Sequence, residues 1–243
     1  MDDTFKGSVE ARSVEAGRGI TWWTDAWAMF MKNAGMWIVL ALIFLVIFIV
    51  LAFIPFLGGI ATALLAPILV GGWMIAARKV DAGGAPEPAD LFAAFQSKAV
   101  PLLVIGALLL AAAIVFGIVV GVLGFGAVFG MAAGGASRSA GGMAAGFGVG
   151  LLVALLSLAF AFVVSMAIWF APALVVFRDL SPVDAIKTSF AASLKNIVPF
   201  LLWGVIYIVA AIVASIPFGL GWIVLIPVTL LTAYVAYKDL FGA

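Results

Sequence analysis

Long apolar runs alternate with short polar breaks along the whole chain. Met36–Ile54 holds 19 residues without a charge, close to the roughly 20 that cross a bilayer core as a helix. Further runs predict spans over about 60–77, 100–123, 147–177, 197–216 and 222–237. The fold class expected is all-α: a polytopic membrane protein of six transmembrane helices arranged as three hairpins. Two uncharged turns, Pro55-Phe56-Leu57-Gly58-Gly59 and Pro217-Phe218-Gly219-Leu220-Gly221, are near-copies. Asp81–Pro88 reads as a loop from its Gly and Pro content. Gly121, Gly124, Gly126 and Gly130 argue against a straight helix beyond Leu123, and 130–146 reads as a Gly/Ala/Ser linker with one charge, Arg138.

Three shorter segments carry a different pattern, apolar on one helical face and polar on the other. In Ile20–Asn33 the stripe is Trp23, Trp27, Phe30 and Met31. In Asp90–Lys98 it is Leu91, Phe92 and Phe95, and in Ser181–Asn196 it is Val183, Ile186, Phe190 and Leu194. Ser181 suits an N-cap, Pro182 the first helical position and Asp184 the positive helix end. Such segments are expected to lie in the headgroup layer, apolar face down.

These patterns repeat. Residues 1–19 are expected to be a mobile cytoplasmic tail without a signal-peptide core, and 20–243 a six-span domain with approximate repeats 20–80, 88–179 and 181–240. Each repeat opens with Asp25, Asp90 or Asp184, turns at Lys32, Lys98 or Lys195, and returns through a span holding Pro67, Pro172 or Pro227. Because all begin on one side, they are read as parallel repeats about an axis along the membrane normal. The three prolines are the helix-kink candidates. Pro172 fits least well, lying six residues before its basic partner where Pro67 and Pro227 lie eleven before theirs.

Composition narrows the chemistry. Of 243 residues 67% are hydrophobic and 9% charged, with a mean hydropathy of +1.34. The absence of Cys and His removes disulfides, His-ligated haem and His/Cys zinc sites. No carboxylate or base sits in the middle of a span, which argues against a carboxylate relay. No paired-carboxylate or dinucleotide-binding motif occurs. No catalytic residue, cofactor or metal ligand is therefore assigned. Hydroxyl side chains in the spans (Thr62, Ser157, Ser165, Tyr207, Ser215, Thr229 and Thr232) are too sparse for a polar stripe.

Placement of charge gives orientation. With six spans, eleven of the twelve Lys/Arg fall on one side, and only Arg138 lies opposite. The positive-inside rule makes that side cytoplasmic, with both termini. Arg78, Lys79, Arg178, Lys187 and Lys195 are the candidates for a basic belt that meets anionic lipid headgroups.

The segment W-F-A-P-A-L-V-V-F-R-D-L-S-P-V-D-A-I-K-T-S-F-A-A-S-L-K-N (Trp169–Asn196), with P-I-L-V-G-G-W-M (Pro67–Met74) and D-L-F-A-A-F (Asp90–Phe95), resembles poorly characterised bacterial six-span inner-membrane proteins of the YciC type. It is also similar to the membrane domain of some glycerophosphodiester phosphodiesterases. The resemblance implies an all-helical protein of the bacterial inner membrane and supplies no catalytic residues. The expected function is non-enzymatic: organising the membrane or binding a partner, and holding lipid. The alternative is a transporter or channel for a small neutral or apolar compound. Expected partners are membrane lipid, other membrane proteins or a second copy, and no nucleic acid.

Overall fold

A computed structural model describes residues 9–135 and 140–242. They form ten α-helices and one 3-10 segment, with no strand among the described residues. In order these are α1 (Arg18–Lys32), α2 (Ala34–Ala52), α3 (Leu57–Asp81), the 3-10 segment Pro88–Phe92, α4 (Ala93–Ser97), α5 (Ala99–Gly135), α6 (Ala140–Ile168), α7 (Ala171–Arg178), α8 (Pro182–Lys195), α9 (Ile197–Ser215) and α10 (Trp222–Phe241). Six stretches are long and apolar enough to cross a membrane: Ala34–Ala52, Leu57–Asp81, Ala99–Phe125, Gly148–Arg178, Ile197–Ser215 and Trp222–Phe241. An apolar helix with no polar face has no stable place in water, so lipid is the solvent this sequence is built for.

Each short helix passes into a span through one residue off the helical geometry. Asn33 (φ −146°, ψ 43°), Lys98 (φ −140°, ψ 25°) and Asn196 (φ −117°, ψ 36°) share this conformation. The two uncharged turns match as well. Phe56 and Phe218 both adopt positive φ, 59° and 53°, and both side chains are fully exposed.

The chain divides into two compact units. One comprises the chain up to Ala107 and from Met166 onward. Here α3 and α10 are the inner helices, with about half of each buried, whereas α2 and α9 leave most of their surface open. α10 packs on α1, α2, α3 and α9, and α3 packs also on α2, α4 and α7. Trp37 of α2 stacks on Trp73 of α3, both fully buried. A second aromatic cluster joins Trp23 to Trp203, Trp169 to Trp203, and Trp22 and Phe170 to Phe200. The other unit, Leu108–Ser165, is a pair of helical segments on which Phe116 and Phe160 stack face to face at 4.1 Å. Its exposed Ile118, Val122, Leu151 and Leu158 give it an apolar exterior.

Several sequence expectations change. The linker expected over 130–146 is helical through Gly135 and again from Ala140; Arg138 lies outside the described residues. Ala favours helix, and glycine is common in helices that lie in a bilayer. The second surface helix is a 3-10 turn followed by the five-residue α4. Asp25 does not open a helix, because α1 begins at Arg18. From Val9 on, the expected tail is held to the protein, as described below.

Pro172 is not a kink inside a helix. The fourth span breaks at Trp169–Phe170, and Pro172 lies in the first turn of α7, where a missing N–H removes no helical bond. The opened backbone is satisfied by α8. Ser189 Oγ accepts from Phe170 N–H (3.0 Å) and donates to the Met166 carbonyl (2.8 Å), which also accepts from Ser193 Oγ at 3.3 Å. A hydroxyl has inserted into an i to i−4 bond, one of the ways a membrane helix tolerates a break. Pro67 and Pro227 do lie inside α3 and α10, both buried. Pro67 frees the carbonyl of Ala63. Gly106 of α5 packs there, and a Cβ at that position would sit 2.5 Å from the Ala63 oxygen.

Candidate functional site

The charged residues of the larger unit gather where the short helices meet the ends of α3, α7 and α10. Their arrangement starts from Asp239, in the last turn of α10. Its Oδ2 accepts from Arg18 Nε at 2.6 Å and from Trp22 Nε1 at 2.9 Å, and its Oδ1 from Arg12 Nη2 at 2.9 Å. Arg12 Nε also donates to the Asp239 carbonyl. Asn196, buried at the α8–α9 junction, holds the same N-terminal segment from the other side. Its Oδ1 accepts from Val14 N–H (2.9 Å), and its Nδ2 donates to the carbonyls of Arg12 (3.1 Å) and Ala192 (2.9 Å). Arg12 N–H donates to the Leu240 carbonyl at 2.9 Å.

The five basic candidates do not form one belt. Lys79 is paired within its own loop, 3.1 Å from Glu87 and 3.2 Å from Asp90. Lys195 donates to the Ala11 carbonyl at 2.9 Å. Lys195 and Lys187 line a groove of about 560 Å³ between α8 and Val9–Ala11. Arg78 and Arg178 come together elsewhere, lining a concavity of about 400 Å³ with Asp81, Phe177, Tyr234 and Tyr237. Arg78 lies over the Phe177 ring, 5.1 Å from its centroid. Arg178 donates to Tyr237 Oη (3.3 Å) and to the Phe241 carbonyl (2.8 Å). Asp81, on the rim, accepts from Lys238 and from Tyr234 Oη. Lys98, at the α4–α5 junction, pairs with Asp179, the residue that follows α7.

Sequence reasoning missed Asp239, Asn196, Ser189 and the two tyrosines of α10. A carboxylate at the end of an apolar span that also bears Tyr234 and Tyr237 is the one local signal that a polar site lies there.

The faces of the short helices are also settled. α1 buries Trp22, Ala26, Met29 and Phe30 against the protein and leaves Ile20, Trp27 and Met31 uncovered. Phe30 therefore belongs to the inner face, not to the outer stripe expected for it. α8 buries Ala185, Ser189, Ala192 and Ser193 and leaves Val183 and Leu194 exposed. In the second segment Leu91 and Ala94 are buried, and Phe92 and Phe95 are exposed.

No curated protein and no solved structure matches the chain. One family model does, over residues 57–239, from the start of α3 almost to the end of α10. The match covers three-quarters of the sequence, and the chain belongs to the family described as Domain of unknown function (DUF7847).

Proposed function

We propose that this protein is a non-enzymatic component of a bacterial inner membrane that organises lipid around its charged end. In this reading its termini are cytoplasmic, and its three units are parallel repeats, each a headgroup-layer helix followed by two spans. One observation carries the reading. All three short segments bury one face on the protein and leave large apolar side chains uncovered beside a charged cluster: Ile20, Trp27 and Met31; Phe92 and Phe95; Val183 and Leu194. In water such side chains would be a liability, whereas at a lipid boundary they are anchors. The shared backbone of Asn33, Lys98 and Asn196, and the matching Phe56 and Phe218, support the repeat.

The test is spin labelling in this Cys-free chain. Labels at Met31→Cys, Phe95→Cys and Leu194→Cys, with the protein in bilayers, should be relaxed more by lipid-soluble oxygen than by a water-soluble nickel chelate. A label at Asp25→Cys, exposed and about 120° around α1 from Met31, should show the reverse. Equal response to both relaxants at all four positions would defeat the reading.

A further inference from the structure

Of the five basic candidates, Arg78 and Arg178 share one concavity and neither is in an ion pair among the described residues, whereas Lys187 and Lys195 share a groove that Glu10 and Asp184 also line. Arg78 rests on an aromatic face, which holds a cation in place without neutralising it. Arg178 is fixed by two neutral acceptors, the Tyr237 hydroxyl and the Phe241 carbonyl. Those bonds occupy two of the five N–H donors of a guanidinium and leave the others free. Among the described residues no carboxylate forms an ion pair with either arginine. Asp81, the one acidic residue lining the concavity, is engaged by Lys238 and Tyr234.

We infer that Arg78 and Arg178 form a binding site for a phosphate-bearing anion. Two guanidiniums that approach one space from different helices suit the tetrahedral, multiply accepting phosphate group, because each planar fork can give paired hydrogen bonds. Phe177, Tyr234 and Tyr237 supply an apolar wall, and Tyr237 Oη orients Arg178 while it stays buried. Lys79 is excluded from the site because its ammonium group is paired with Glu87 and Asp90, and Lys187 and Lys195 because they line the other groove. The phosphate has two possible sources, a phospholipid headgroup and a soluble phosphate compound; the lipid source rests on the membrane reading given above.

The experiment measures phenylglyoxal modification of each arginine by peptide mass spectrometry, on the full chain in nanodiscs. With phosphatidylcholine as the reference bilayer, adding phosphatidylglycerol should slow modification of Arg78 and Arg178 about tenfold. Arg18, paired with Asp239, should not respond. Equal slowing by millimolar inorganic phosphate in phosphatidylcholine alone supports the site and assigns it to a soluble anion. Protection by neither probe overturns the site, while the spin-label comparison still decides the membrane reading separately. Because Arg178 also holds the Phe241 carbonyl, the variant used is Arg78→Gln. It should remove most of the protection of Arg178, whereas Lys79→Gln should leave it intact. Equal loss in both variants would reduce the effect to general surface charge and contradict a built site.

Discussion

The indole N–H of Trp22 donates to Oδ2 of Asp239 at 2.9 Å, joining the first helix of the chain to the last across 217 positions of sequence. The same carboxylate binds Arg12 and Arg18, so one side chain closes the N-terminal segment onto α10. Asp239→Ala should leave a buried indole N–H, Arg18 Nε and Arg12 Nη2 without that acceptor, while Arg12 Nε keeps the backbone carbonyl. Loss of a hydrogen bond to a charged group costs about 1.5–3 kcal/mol. The expected result is a lower melting temperature and faster tryptic cleavage after Arg12 and Arg18. Unchanged cleavage would show that the carboxylate does not hold the segment.

Ser189 and Ser193 offer an internal comparison. Both donate to the Met166 carbonyl, but only Ser189 also accepts from Phe170 N–H. Ser189→Ala leaves one buried donor unsatisfied, at a cost of about 1–3 kcal/mol. Ser193→Ala leaves none, since Ser189 still serves the carbonyl. Thermal unfolding in detergent should therefore rank Ser189→Ala well below Ser193→Ala. Equal melting temperatures would mean that the break in the fourth span does not depend on α8.

The matched turns make a prediction about strain. Phe56 and Phe218 have positive φ and bury nothing. A non-glycine residue held there costs of the order of 1 kcal/mol or more. Phe56→Gly and Phe218→Gly should be neutral or stabilising in detergent, and the corresponding Val variants destabilising, because a β-branched side chain fits that backbone worst. A Val variant as stable as the Gly variant would show that the backbone conformation is not maintained.

The six spans were legible because the bilayer imposes a length and a composition on each. Met36–Ile54 could hardly be anything else. The apolar stripes of the short helices were legible in part: Trp27, Met31, Val183 and Leu194 are left uncovered by protein. Hydrophobicity alone could not say which face of α1 or α8 packs on protein. On α8 that face is made of small and polar residues (Ala185, Ser189, Ala192, Ser193), which a search for apolar stripes passes over, and on α1 it carries Trp22, Met29 and Phe30, as apolar as the uncovered face. Pro172 was misplaced because a proline within an apolar run looks the same inside a helix and at the start of one. The site was half legible. Arg78 and Arg178 stood out as charges that end apolar runs, but their meeting depends on α3, α7 and α10 converging. Asp239 marked only the end of a Tyr-bearing span; its partners lie more than two hundred residues away, and no local spacing records them.

The central claim is that the chain crosses the membrane six times with all its short helices and arginine-lined hollow on one side. Single cysteines at Ala85, in the loop after α3, and at Phe56 and Phe218, in the two uncharged turns, test it directly. With an impermeant maleimide on intact cells, Phe56→Cys and Phe218→Cys should label and Ala85→Cys should label only after the membrane is opened. Labelling of Ala85→Cys from the same side as either phenylalanine position would contradict the account.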